Sequence, residues 1–126
     1  MKNNNLPAHV LLCRSDLLGV GGAERVLYEQ SKAFVDLGIK CSVLLFEAST
    51  KLLSGFDKRV NLIVLGQNRY DDILFIRNLI KLRKKIKEIN PDLIIALQSL
   101  SDYLRIALIG IDKKYVLYKY TSLFYL

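Results

Sequence analysis

The sequence predicts an α/β protein built on a single parallel sheet with helices on both faces. Three observations carry this. Short Val/Leu/Ile-rich runs alternate with amphipathic stretches along the chain. The apolar runs are nearly continuous, as expected of strands covered on both sides. Finally, Gly19-Val20-Gly21-Gly22-Ala23 follows one such run and opens an amphipathic segment, giving the order strand, glycine-rich turn, helix.

Each element has its own signal. Residues 9–14 read as a buried strand. Residues 23–37 read as a helix with Ala23, Val26, Leu27, Ala33, Phe34 and Leu37 on one stripe, followed by Gly38, where a C-terminal glycine belongs. Residues 39–46 form a second strand, 47–58 a polar loop, and 60–65 a third strand bounded by Gly66. Asp71 or Asp72 caps a long helix that ends at Ile89. The dipeptide Asn90-Pro91 stops it, because proline disfavours helical geometry in the residue before it. A fourth strand spans 92–97. Ser101 or Asp102 caps a helix ending at Gly110, and 115–118 form a fifth strand. In parallel sheets, ligands gather at the strand carboxyl ends, where strand order reverses. Segments 15–22, 98–101 and 119–123 are thereby expected along one edge.

The chain has 126 residues, 52% of them hydrophobic, enough for one domain with a core. A net charge of +7 points to anionic partners, namely phosphates, acidic lipid surfaces or nucleic acid. No nucleic-acid-binding motif accompanies it, so nucleic acid is not expected as a partner. Cys13 and Cys41 lack ligand spacing and fall in strands, so buried free thiols and a reducing, cytoplasmic compartment are expected. His9 has no sequence-adjacent catalytic partner and reads as structural. No metal site is expected. Arg14 and Asp16 interrupt the first apolar run, so no signal peptide is expected. No segment reaches the roughly 18 uninterrupted apolar residues of a membrane span, so any membrane contact is expected to be peripheral. The apolar tail Leu123-Phe124-Tyr125-Leu126 reads like a chain cut short.

A helix placed after a glycine turn offers unpaired N–H groups and partial positive charge to an anion. Side chains at Gly21 and Gly22 would hold a phosphate away from the backbone. The spacing Gly-x-Gly-Gly departs from the dinucleotide fingerprint, although Glu47 at the end of the second strand mimics its ribose-binding acid.

Gly21-Gly22-Ala23-Glu24-Arg25-Val26-Leu27 resembles the N-terminal signature of family-4 retaining glycosyltransferases with the two-domain GT-B fold. Asp36-Leu37-Gly38-Ile39, Asn90-Pro91-Asp92-Leu93-Ile94-Ile95 and Ile109-Gly110-Ile111 are similar to later steps of the same domain, in the same order. The resemblance implies a Rossmann-like N-terminal half of a GT-B fold that holds the acceptor, with a donor-binding C-terminal domain absent from these 126 residues. It places Gly21 and Gly22 against the donor diphosphate. Gln98, Ser99, Ser101 and Asp102, with Tyr120 and Thr121, face the acceptor or the transferred sugar. Tyr120 stands where the family often has a histidine. The donor is a nucleotide-sugar and no cofactor is implied. The acceptor expected from the resemblance is a lipid-linked glycan or polysaccharide at the inner face of the plasma membrane. A separate C-terminal-domain chain is a possible partner.

Arg77, Lys81, Arg83, Lys84, Lys85 and Lys87 crowd the long helix, against Glu88. Its apolar side is expected to comprise Ile73, Ile76, Leu79, Ile80, Leu82, Ile86 and Ile89. Arg77, Lys81, Lys84 and Lys85 are the expected contacts to anionic lipid. Two other readings remain: a non-catalytic remnant or subunit binding membrane or glycan, and a nicotinamide dinucleotide-binding domain.

Overall fold

The computed structural model describes residues 6–17, 23–66, 72–97, 108–111 and 114–118. Five strands and three helices follow in the order β1 (His9–Leu17), α1 (Ala23–Asp36), β2 (Lys40–Ala48), α2 (Thr50–Leu53), β3 (Asn61–Val64), α3 (Asp72–Ile89), β4 (Leu93–Leu97) and β5 (Lys114–Tyr118). All strand pairs are parallel and the sheet order is β3-β2-β1-β4-β5. The expected α/β class with one parallel sheet is what the chain adopts.

The sheet is covered on both faces. Side chains alternate along β1: Val10 and Leu12 join Leu27 and Val35 of α1 with Cys41, Val43 and Leu45 of β2. Leu11 and Cys13 face the other way, into a second core with Leu82 and Ile86 of α3, Leu44, Phe46, Ile94, Ala96 and Leu108. The two cysteines thus lie on opposite faces as buried free thiols. Burial pushes the Cys41 thiol up to about 11, and Cys13 is also raised.

Several local readings shift. β1 continues past residue 14, because its carboxyl half pairs with β2 through Asp16↔Glu47 and Leu17↔Ala48 despite the charged residues. The buried stripe of α1 is Leu27, Ser31 and Val35, whereas Val26 and Leu37 are exposed. Ser31 is tolerated inside because its hydroxyl donates to the Tyr28 carbonyl at 3.0 Å. Ile80 of α3, expected on the apolar side, also faces outward. The polar loop after β2 contains α2.

Helix ends follow their residue chemistry. Gly38, at φ +82°, closes α1 with paired bonds from Gly38 N–H to the Val35 carbonyl (3.0 Å) and Ile39 N–H to the Phe34 carbonyl (2.9 Å). Asn90 ends α3 at φ 51°, a left-handed conformation that asparagine tolerates. Two residues later, the Asp92 carboxylate accepts from the N–H groups of Ala8 (2.8 Å) and His9 (2.9 Å), securing the start of β1.

The α2 segment is tied to α1 by Tyr28. Its hydroxyl donates to the Leu52 carbonyl at 2.6 Å and its ring meets Phe56 edge-on, with centroids 4.7 Å apart. Gly55 allows this approach: a Cβ there would lie 2.6 Å from the Tyr28 ring. Gly55→Ala is therefore expected to cost about 1–3 kcal/mol through the forced shift of the ring. Tyr28→Phe is expected to cost about 1 kcal/mol for the lost bond. In urea unfolding the double variant is expected to lose less than the sum. Full additivity would show that Gly55 and Tyr28 are not coupled.

Candidate functional site

All five strands run the same way, so Leu17, Ala48, Val64, Leu97 and Tyr118 end on one edge. β1 connects to β2 through α1 on one face. β3 connects to β4 through α3 on the other, crossing from one side of β1 to its opposite side. Strand order therefore reverses between β1 and β4, and the carboxyl edge there is where α/β sheets bind ligands. α1 begins at Ala23, shortly after β1 ends at Leu17, which directs the positive end of its dipole toward this edge.

Gly21 and Gly22 belong to the segment joining β1 to α1. Gln98, Ser99, Ser101 and Asp102 follow β4, and Tyr120 and Thr121 follow β5. All eight lie outside the described residues, as does most of the helix expected before Gly110. The connecting strands deliver all three segments from the same edge. Glu47 is half-buried near the end of β2, in register with Asp16.

One residue that sequence reasoning passed over is Arg14. It sits in the carboxyl half of β1, beside the reversal point. The alternation of β1 puts it on the α1 face with Val10 and Leu12. Its Nε is buried and has no hydrogen-bond partner among the described residues. The signal was present as a lone cation ending an apolar strand just before a glycine turn.

The cations of α3 divide. Arg77, Lys81 and Lys84 are exposed. Lys85 is half-buried and pairs with Glu88 at 3.3 Å. Arg83 reaches that turn and donates to the Ile109 carbonyl. No described helix is long and apolar enough to cross a membrane. Among the described residues, no group of three His, Cys, Asp or Glu side chains is placed to hold a metal.

With the geometry in place, the family model for Glycosyltransferase Family 4 matches residues 20–124, starting within the glycine-rich segment. The chain belongs to that family. The fold is shared with solved glycosyltransferases. One from Rickettsia africae is 20% identical with a TM-score of 0.69, over 86% of this chain and 29% of that one. TcCGT1, solved in complex with UDP, is 18% identical with a TM-score of 0.63, over 89% and 28%. The sheet is not peculiar to sugar transfer. A hydrogenase C-terminal domain from Pyrococcus furiosus matches at 15% identity with a TM-score of 0.58, over 88% of this chain and 91% of that domain. The family-4 chain described here thus spans under a third of the length of the two glycosyltransferases.

His9 lies at the opposite, amino edge of the sheet. Its Nε2 is 2.8 Å from the Ser42 hydroxyl, which also accepts from Asn61 Nδ2 at 3.3 Å. Burial holds the imidazole below its usual range, the nearby Lys40 cation adds to this, and Asp92 opposes it. Because the folded state favours the neutral ring, the unfolded chain binds more protons below the ordinary histidine range. Stability from this group is complete above pH ~6.5 and is lost as pH falls from there toward the lowered folded value. Urea midpoints are expected to fall between about pH 7 and 5, and His9→Gln is expected to flatten that slope. Asp36 and Asp57, both held low by hydrogen bonds from Arg59, lose their contribution only as pH falls through the more acidic carboxylate range. An unchanged slope in the glutamine variant would remove His9 as the source.

Proposed function

We propose that this family-4 chain is the N-terminal, acceptor-side domain of a two-domain retaining glycosyltransferase of GT-B architecture. The reaction moves a sugar from a nucleotide-sugar to a lipid-linked or polysaccharide acceptor in bacterial surface glycan synthesis. The observation that carries the reading is the family match across residues 20–124, laid on a parallel sheet whose reversal point and α1 N-terminus share one edge. The UDP complex of TcCGT1 supports a nucleotide-sugar as donor.

In this reading, Gly21 and Gly22 keep the start of α1 open to the donor diphosphate. Backbone N–H groups there stabilise the charge that develops on the leaving nucleotide, a contribution that needs no cofactor. Arg14 stands near the same edge as a further cationic group. Gln98, Ser99, Ser101, Asp102, Tyr120 and Thr121 contact the acceptor or the sugar in flight. A C-terminal domain, on the same or a separate chain, grips the nucleotide-sugar from across the cleft. The exposed Arg77, Lys81 and Lys84 hold the enzyme at the anionic inner face of the plasma membrane, where a lipid-linked acceptor resides.

Transfer of radiolabelled sugar from a nucleotide donor to membrane lipid extract tests the chemistry. The 126 residues alone are expected to give no turnover above background. Joined to the donor-binding domain, Gly22→Val is expected to lower kcat/KM by about a hundredfold with the fold intact by circular dichroism. Full activity of a folded Gly22→Val enzyme, or saturable binding of NAD in preference to nucleoside diphosphates, would overturn the reading.

The membrane contact has its own measurement. Sedimentation with vesicles containing anionic lipid is expected to fall steeply with salt, since exposed charges are screened within about 8 Å at physiological ionic strength. Changing Arg77, Lys81 and Lys84 together to glutamine is expected to remove most of the binding. Equal binding to neutral vesicles would argue against an electrostatic contact.

A further inference from the structure

The outer surface of α3 is not purely cationic. Ile80 is 61% exposed there and Ile109, on the turn before β5, is 68% exposed. The two come from segments far apart in sequence, and Arg83 brings them to one side of α3. Arg83 donates from its guanidinium to the Ile109 carbonyl. Ile80 lies three residues before Arg83, one turn along the same flank, where side chains stand roughly 5–6 Å apart. Lys84 and Lys87 follow Ile80 on that side and are exposed.

The turn that carries Ile109 is pinned from beneath. Leu108 is buried in the α3-side core and Ile111 packs against it. The Ile111 N–H donates to the Leu108 carbonyl at 2.9 Å. Gly110 takes φ +80°, which allows the tight reversal between them. With its neighbours on both sides drawn inward, Ile109 is directed out.

We propose that Ile80 and Ile109 form a paired apolar anchor that inserts into an anionic bilayer, with Arg77, Lys81, Lys84 and Lys87 ringing it at headgroup level. The inference rests on the membrane contact of the proposed function and deepens it. Charge complementarity selects the occupant. From Arg77 to Ile89 the helix carries one acid, Glu88, which pairs with Lys85 at 3.3 Å, against the exposed Arg77, Lys81, Lys84 and Lys87. An apolar centre ringed by cations matches an acidic lipid surface, which offers anions outside and hydrocarbon within. Cations alone would give a contact that salt removes completely. Two inserted isoleucines add burial that salt does not screen.

The chain contains no tryptophan. Ile109→Trp in the full chain is therefore a single fluorescent reporter, and Leu37→Trp, at an exposed position on the α1 side, is its control. Vesicles of phosphatidylcholine alone and of phosphatidylcholine with phosphatidylglycerol serve as probes. With anionic vesicles, emission from position 109 is expected to shift to the blue and to be quenched by brominated lipid, while position 37 is unchanged. Ile80→Ser combined with Ile109→Ser is expected to weaken partition about tenfold with an unchanged melting curve, since both side chains are exposed. No shift at position 109, an equal shift at position 37, or unchanged partition of the double serine variant would overturn the anchor. Anionic-vesicle binding that persists in the serine variant and vanishes with salt would overturn the anchor while leaving the cationic contact standing. Absence of binding to any vesicle would overturn both.

Discussion

Every other part of the fold depends on the double burial of β1. Val10, Leu11, Leu12 and Cys13 are all fully buried, and the strand pairs with β2 on one side and β4 on the other. Each residue contributes to one of two cores, so removal of either helix layer would expose half of the strand to water. Its backbone groups are paired on both sides, and its amino end is held by the Asp92 carboxylate. A strand buried on two faces and paired on two edges has no other place in a parallel sheet than the centre.

That central position sets the functional geometry. With β2 and β3 on one side and β4 and β5 on the other, reversal of strand order has to occur beside β1. The same strand delivers the chain to the glycine-rich segment and α1. The ligand edge and the helix N-terminus coincide because one strand creates both. The polar cluster of His9, Ser42 and Asn61 lies at the opposite edge.

Charge is distributed with similar economy. On the α1 side, acids are largely neutralised within the chain. Asp36 pairs with Lys32 at 2.9 Å and with Arg59 at 2.6 Å, Asp57 with Arg59 at 2.9 Å, and Glu29 with Arg25 at 3.4 Å. These pairs are exposed and contribute little stability, but they leave that face close to balanced. The excess positive charge is carried on α3, whose outer surface has little acid to offset it. The two faces of the sheet thus differ in charge, one nearly neutral and the other cationic.

By itself, the sequence determined the fold class, the succession of the five strands with the helices after β1 and β3, the stops at Gly38 and Asn90-Pro91, and the family signature around Gly21 and Gly22, while the segment that holds α2 read as polar loop. These depend on local chemistry: apolar runs, glycine freedom, proline geometry and spacing. Sequence did not determine which side of α1 is buried. The stripe turns to Leu27, Ser31 and Val35 because packing on the sheet, rather than hydropathy alone, selects the face. Nor did it show that β1 continues through Arg14 to Leu17, since sheet pairing overrides the charge. Tertiary structure alone decided that Tyr28 fastens α2 and that Arg83 reaches the turn bearing Ile109. Each of these joins residues whose separation along the chain carries no signal of contact, and only the packing of helix on sheet brings them together.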